Sequence, residues 1–203
     1  MTLSAHDRER IAAAIHAAEA RTSGQIVCVL AQNSSNSTTL PICIAAIAAL
    51  ALPWLLVETT ALAVERILSL QVLVFVGLGI LLCLPRVRTV LMPRAAQRAV
   101  AHRVAMEQFQ IRGIARTTDR TGILIFVSLA ERYARIVADE GIAARVPQKH
   151  WQGAVDALIA HMRDGRIADG FVAAVNACCG ELAAHFPRTE ASRNELPDRV
   201  YLI

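Results

Sequence analysis

Aromatic residues are scarce in this chain of 203 residues, which has two tryptophans, two tyrosines and five phenylalanines. Its net charge is +4, from 21 lysines and arginines against 17 aspartates and glutamates, and a positive charge ordinarily suggests nucleic acid as a partner. Surfaces that bind nucleic acids usually combine a basic patch with stacking aromatic side chains, whereas the basic residues here concentrate in one stretch, residues 86–103, with few aromatics. The sequence therefore predicts no nucleic acid as a partner.

The familiar catalytic signatures are also missing from the chain. It has no Gly-x-Ser-x-Gly elbow, no Gly-x4-Gly-Lys phosphate loop, no His-Glu-x-x-His and no cysteine pair at zinc spacing. Its six histidines are scattered, so their spacing predicts no histidine-centred chemistry. The five cysteines show no metal or redox spacing, and we interpret them as reduced packing residues: Cys28, Cys43, Cys83, Cys178 and Cys179.

Two long apolar runs, Leu40 to Val57 and Ile67 to Leu84, contain no charged residue. Crossing the hydrocarbon core of a bilayer, about 30 Å thick, takes roughly 20 apolar residues at 1.5 Å each. Each run with its flanks therefore predicts a membrane-spanning helix, and the short polar connection between them predicts a transmembrane hairpin over residues 40–84. The alternative is a pair of buried core helices in a soluble protein, which is unusual in a chain of this size.

The distribution of arginines predicts how the hairpin is oriented, because basic residues near membrane segments are retained in the cytoplasm. After the second run no acidic residue occurs before Glu107, and the arginines there are Arg86, Arg88, Arg94, Arg98 and Arg103. The sequence thus predicts a two-pass protein of a bacterial-type inner (plasma) membrane with both termini in the cytoplasm. Charged side chains interrupt residues 1–25, so no cleavable signal sequence is predicted.

A basic stripe is predicted on a helix from Arg94 to about Gln110, where Arg94, Arg98 and His102 follow an i, i+4, i+8 spacing. Each cation near an anionic membrane surface contributes about 1 kcal/mol, so the lipid bilayer and its anionic head groups are one predicted partner. The alternative is an ordinary solvated helix face.

Outside the hairpin, the sequence predicts a single discontinuous cytoplasmic domain over residues 1–39 and 85–188 and a flexible tail over residues 189–203. Apolar periodicity and turn residues predict its elements. They are a helix from Leu3 to Arg21, a strand from Gln25 to Ala31, a strand from Ile123 to Leu129 paired antiparallel with Arg132 to Ala138, and two helices beginning near Pro147 and Ile167. The predicted fold class is α/β, a small mixed β-sheet covered by helices and interrupted by the two-helix transmembrane hairpin.

This order of elements, with its motifs, resembles the TPM-domain family, which includes thylakoid-lumen, photosystem II repair and receptor-modulating proteins. The resemblance covers residues 4 to 31 and about 95 to 186. The residues that carry it are Ser23-Gly24-Gln25-Ile26-Val27, Thr121-Gly122-Ile123-Leu124-Ile125-Phe126-Val127-Ser128-Leu129, Glu131-Arg132, Arg135-Ile136, Arg163-Asp164-Gly165 and Asp169-Gly170. It implies a TPM-like α/β sandwich, with acid phosphatase activity or divalent-metal binding proposed for some members. Asp139-Glu140-Gly141 stands where many members have a glycine and an aromatic residue.

A candidate site follows from the predicted hairpin of strands, since the start of one antiparallel strand lies beside the end of its partner. Asp119 should therefore meet Asp139 and Glu140, a set of carboxylates suited to Ca²⁺ or Mg²⁺. Arg135 or Arg120 would hold a phosphate. In that hypothesis Asp119, Asp139 and Arg135 are catalytic and the three carboxylates bind the metal. The alternative is that these carboxylates are solvated and pair with Arg116 or Arg120.

Two functions from different classes are open at this point. The first is a module that binds a membrane or cytoplasmic protein and helps to assemble a membrane complex. The second is a divalent-metal-dependent phosphatase of low activity, for which the cofactor would be one of the two cations above.

Overall fold

The structure, a computed structural model, describes residues 3–34, 39–60, 62–84, 87, 93–189 and 193–203. The chain divides into two compact units. We call residues 1–34 and 98–203 the sheet unit, and residues 35–97 the hairpin unit.

The described residues form helices and strands with these bounds. The helices are α1 (Ala5–Glu19), α2 (Thr39–Thr59), α3 (Val64–Cys83), α4 (Arg94–Ile111), α5 (Glu140–Ala143), α6 (Gln152–Arg163) and α7 (Ile167–His185). The strands are β1 (Gln25–Ala31), β2 (Gly122–Ser128), β3 (Tyr133–Ala138) and β4 (Val200–Leu202). Two short 3₁₀ helices are Ile114–Arg116 and Gln148–Trp151.

The sheet unit is built on a mixed sheet with the strand order β3-β2-β1-β4. β1 runs parallel to both β2 and β4, and β2 pairs antiparallel with β3. Every residue of β1 and β2 is buried, because helices cover both faces of the sheet. The predicted α/β fold with a small mixed sheet is confirmed.

Alternate residues of the central strands enter two separate cores. One core faces α1, α6 and α7 and takes Ile26, Cys28 and Leu30 from β1. The other faces α4 and takes Val27, Val29 and Ala31. Successive side chains of a strand point to opposite faces of the sheet, so one continuous apolar run contributes to both cores.

Helix α1 begins with a capping box, which fixes the residue at which the helix starts. The Ser4 hydroxyl accepts the backbone N–H of Asp7 at 3.0 Å, and the Asp7 carboxylate accepts the backbone N–H of Ser4 at 3.2 Å. One face of the helix then buries Ile11, Ile15 and Ala18. Its last residue, Glu19, is also buried.

The end of the chain differs from the predicted flexible tail over residues 193–203. Val200 to Leu202 form β4, which pairs with Cys28 to Leu30, and the Gln32 N–H donates to the carbonyl of Ile203 at 2.9 Å. A three-residue strand leaves too short a pattern to be recognised from sequence, but β1 offers it an open row of backbone hydrogen-bonding groups. The structure therefore corrects the prediction of a tail for these residues.

In the hairpin unit, α2 and α3 are long and apolar enough to cross a membrane, as predicted. The windows Pro41–Thr59 and Val64–Cys83 have mean hydropathies of 2.1 and 2.2, and 11% of each window is buried. Helix α7 also meets the criteria of length and composition, with a mean hydropathy of 1.3, but half of its window is buried. Because α7 packs into the core of the sheet unit whereas α2 and α3 expose apolar side chains, the hairpin is the candidate membrane segment.

Candidate functional site

The predicted site corresponds to a group of residues at one edge of the sheet, which we call the strand-edge cluster: Asp119, Arg120, Asp139 and Glu140. The register pairs Ile123 of β2 with Ala138 of β3, so the chain before β2 lies beside the chain after β3. The Asp139 N–H donates to the carbonyl of Gly122 at 2.9 Å, and the Gly141 N–H donates to that of Arg120 at 3.1 Å. The antiparallel strands thus bring the two segments together.

Arg120 ion-pairs with both carboxylates that follow β3. Its Nε atom lies 3.0 Å from Oδ2 of Asp139, and one terminal nitrogen lies 3.1 Å from a carboxylate oxygen of Glu140. The Asp139 side chain is only 3% exposed, whereas that of Glu140 is 87% exposed. Asp139 also caps α5, since its Oδ1 accepts the Glu140 N–H at 2.8 Å. A cation at this site would have to displace the Arg120 guanidinium from Asp139.

The ion pair leaves one oxygen of Asp139 incompletely satisfied. Oδ2 is buried and has no hydrogen-bond partner among the described residues, although it is within ion-pair distance of Arg120. The backbone of Arg120 is left-handed, with φ +54°, a conformation that is uncommon outside glycine. The two groups are therefore at ion-pair distance and of opposite charge, but their hydrogen-bond angle is imperfect.

Asp119 contributes its backbone to this cluster more than its side chain, which is exposed. The backbone of Asp119 lies close to Gly141, since a Cβ atom added at Gly141 would lie 2.7 Å from the carbonyl oxygens of Asp119 and Arg120. Within the described ranges no group of three or more histidine, cysteine, aspartate or glutamate side chains is arranged to hold a metal ion. The metal-binding and catalytic roles of Asp119, Asp139 and Glu140 stay predictions.

Arg135 is not brought to the strand-edge cluster. It lies in the middle of β3, opposite Phe126, and four residues of strand from Asp139 correspond to roughly 13 Å. Its Nε atom is buried and has no hydrogen-bond partner in the part of the chain that the structure describes. Burial, and then the charge of Arg135, lower the pKa of His102 on α4. The predicted phosphate-binding role of Arg135 at this cluster therefore lacks the proximity that it needs.

The opposite edge of the sheet has a cavity of about 520 Å³ that sequence reasoning missed. We call it the carboxyl-edge cavity, because it lies where β1 and β2 end. Its lining residues are Gln32, Leu129, Ala130, Arg132, Tyr133, Ile159, Met162 and Arg163. A sequence signal for this cavity is the Glu131-Arg132 dipeptide, which carries part of the family resemblance. Glu131 is buried in the turn beside the cavity.

A buried polar network fixes that turn. The Glu131 carboxylate accepts the Ser34 N–H, with 3.1 Å to each oxygen, and it also accepts the Ser128 hydroxyl. The Ser34 hydroxyl is 2.8 Å from that of Ser128. Because these groups link the end of β1 to the β2–β3 turn, they hold the backbone of Arg132, which is left-handed with φ +48°.

A third polar centre joins α1 to the last segment of the chain. Glu19 is 4% exposed, and its Oε1 accepts the Ile26 N–H at 2.8 Å. Burial raises the pKa of Glu19 to about 8; the Ile26 hydrogen bond opposes this rise, and the neighbouring Asp198 carboxylate reinforces it. Asp198 in turn lies 2.9 Å from Nδ1 of His16. No sequence pattern indicates this pair, because 179 positions separate Glu19 from Asp198.

Comparison with known proteins agrees with the fold. A family model described as the TPM domain matches residues 85–180. The fold is similar to the NMR structure of the BA42 protein from the psychrophilic bacterium Bizionia argentinensis, with a TM-score of 0.64 and 19% sequence identity over 100% of this chain and 97% of that one. At that identity the likeness concerns the fold alone. No curated protein sequence matches the chain. The matched domain and the shared fold confirm the resemblance seen in the sequence, and residues 85–180 carry a TPM domain.

Proposed function

We propose that this protein is a membrane-anchored docking module whose TPM domain binds a membrane or cytoplasmic protein and helps to assemble a membrane complex. The observation that carries the proposal is the contrast between the two units. The sheet unit has two well-filled cores, whereas α2 and α3 leave most of their apolar side chains uncovered. An apolar hairpin with so little internal burial is stable in a bilayer, where every backbone group of a helix is satisfied internally.

We also propose that both termini face the cytoplasm of a bacterial-type inner membrane. Arg94, Arg98 and Arg103 are exposed on α4, while Arg86 and Arg88 lie outside the described residues. His102 is partly buried rather than fully exposed. Arginines that follow a spanning segment favour the cytoplasmic side and interact with anionic head groups. The lipid surface is thus the second partner in the proposal.

The phosphatase remains the alternative, supported by the meeting of Asp119, Arg120, Asp139 and Glu140 at one sheet edge. A metal-assisted hydrolysis would need Asp139 to exchange Arg120 for a cation such as Ca²⁺ or Mg²⁺. We favour the docking module because Asp139 already caps α5 and pairs with Arg120. Those two contacts give the carboxylate a structural role without a metal.

Reporter fusions are expected to place the connection between α2 and α3 outside the cytoplasm. Alkaline phosphatase inserted after Thr60 should be active, and the same enzyme fused after Ile203 should be inactive, because alkaline phosphatase folds only outside the cytoplasm. A fluorescent protein at the same two positions should give the reverse pattern. Activity of alkaline phosphatase at the C-terminus with none at Thr60 would invert the proposed orientation.

Photo-crosslinking in intact membranes is expected to find a protein partner on the sheet unit. A photoreactive residue would replace exposed Glu107 on α4 or exposed Lys149 in the second 3₁₀ helix, with Trp54 of α2, 81% exposed, as the matched control. We expect a discrete protein adduct from at least one sheet-unit position and lipid adducts from Trp54. Absence of protein adducts from both positions would count against docking. Phosphate-ester turnover by the purified full chain that falls in an Asp119→Ala/Asp139→Ala variant would favour the alternative.

A further inference from the structure

The carboxyl-edge cavity has the size and position of a ligand site. Its volume of about 520 Å³ lies in the range of roughly 300–1,000 Å³ that is typical of sites for small molecules and short segments. It opens beyond the carboxyl ends of the parallel strands β1 and β2, where open α/β sheets generally bind their ligands. The cavity lies at the other end of the strands from the strand-edge cluster and is separate from the predicted metal site.

The walls of the cavity combine apolar surface with positive charge. Leu129, Ile159 and Met162 supply apolar atoms, and Arg132 and Arg163 supply two guanidinium groups. Both arginine side chains are exposed, and neither has an ion-pair partner within the ranges that the structure covers. No carboxylate is among the described lining residues. The ligand that fits such walls has a negative group beside an apolar group.

The two arginines stand on rigid supports, which favours binding of a defined group. Arg132 follows the turn that the buried Glu131 network fixes, and Arg163 ends α6, whose other lining residues pack against the first core. A guanidinium presents N–H groups in a planar fork that matches the two oxygens of a carboxylate. Because the backbone that carries both arginines is already fixed, binding has to order only their side chains, and less conformational entropy is lost.

We propose that the carboxyl-edge cavity is the docking site for an acidic and apolar segment of a partner protein. A carboxylate of the segment pairs with Arg132 and Arg163, and an adjacent apolar side chain packs against Leu129, Ile159 and Met162. This inference rests on the proposed docking function and names the chemistry of the partner. Charge complementarity argues for this occupant, since the cavity offers apolar walls and two guanidinium groups that have no ion-pair partner among the described residues.

The test uses full-length protein in nanodiscs and the probe peptide N-acetyl-Leu-Glu-amide, followed by NMR chemical shifts of backbone amides. We expect shifts at residues 129–133 and around Arg163. The isosteric neutral peptide N-acetyl-Leu-Gln-amide should bind at least about tenfold more weakly, since hydrogen bonds to charged groups contribute more than neutral ones. An Arg132→Gln/Arg163→Gln variant should weaken binding of the acidic peptide by a similar factor.

The matched control is an Arg8→Gln/Arg21→Gln variant, which removes the same charge from exposed positions outside the cavity. It should bind the acidic peptide as the parent protein does. Equal binding of the acidic and neutral peptides, or equal loss in the two arginine variants, would overturn the inference. Either result would leave a protein adduct in the photo-crosslinking experiment unaffected, so failure of this site is distinguishable from failure of the docking function.

Discussion

Replacement of Gly141 by alanine is expected to destabilise the sheet unit by about 3 kcal/mol, near the upper end of what overpacking usually costs. The new Cβ atom would lie 2.7 Å from the carbonyl oxygens of Asp119 and Arg120, closer than real Cβ contacts allow. Both neighbours are backbone atoms and cannot rotate away. The Gly141 N–H also donates to the Arg120 carbonyl at 3.1 Å, so the two segments cannot separate without losing a hydrogen bond.

The measurement is urea unfolding of the full-length protein in detergent, followed by circular dichroism. Gly153→Ala is the matched control, because Gly153 lies in helix α6 and no atom would lie within 4 Å of its new Cβ. There alanine should stabilise the protein by roughly 0.5–1 kcal/mol, since glycine loses more backbone entropy in a helix. Equal unfolding midpoints for Gly141→Ala and the parent protein would show that the two segments do not approach as closely as described.

The strand-edge cluster shows how far sequence reasoning reaches at a site. The antiparallel pairing of β2 and β3 follows from two apolar runs joined by a short turn, and it predicts that the residues flanking them meet. What the sequence could not decide was the partner of Asp139. Arg120 pairs with it from a left-handed backbone conformation, which no local sequence pattern indicates.

The elements that escaped prediction depend on contacts between distant residues. β1 and β2 were predictable because strands buried on both faces are continuously apolar, and α2 and α3 because charge-free runs of that length are rare. β4 has three residues and gains its stability from the open edge of β1. The carboxyl-edge cavity needs side chains from the β2–β3 turn and from α6, and their meeting is a property of the packed fold.

Because Glu19 is buried beside Asp198, we expect the free energy of unfolding to fall as the pH rises. The pKa of Glu19 is about 8 in the folded protein against an ordinary value of 4.5, so between these pH values the folded state binds more protons than the unfolded state. The free energy of unfolding must then decrease with pH across this window, by up to about 1.4 kcal/mol per pH unit for this group alone. The contribution is fully present below about pH 4.5 and lost above about pH 8.

The cause of that loss is the charge that Glu19 acquires in a buried place. Its carboxylate would stand next to the Asp198 carboxylate, and the nearby Arg188 guanidinium is engaged with the Glu19 carbonyl at 2.7 Å. His16 contacts Asp198 from the exposed side. Because Asp198 belongs to the segment that leads into β4, ionisation of Glu19 weakens the attachment of that segment to α1.

Glu19→Gln is therefore expected to raise the free energy of unfolding at pH 8.5 by about 2 kcal/mol or more, since a glutamine does not ionise. Its amide oxygen can still accept the Ile26 N–H. At pH 4.5 the variant and the parent protein should have similar stability. The experiment is urea unfolding of the full chain from pH 4.5 to 8.5, read as the difference between the two proteins at each pH.

The exposed Glu9 on the same helix supplies the control for this comparison. Glu9→Gln removes the same charge from α1, and its stability relative to the parent protein should be constant within about 0.5 kcal/mol across the pH range. A difference for Glu19→Gln that does not grow with pH would mean that Glu19 is already charged in the folded protein. β4 would then be held by its backbone hydrogen bonds and by the contacts of the Tyr201 ring with the Arg112 and Arg199 guanidinium groups.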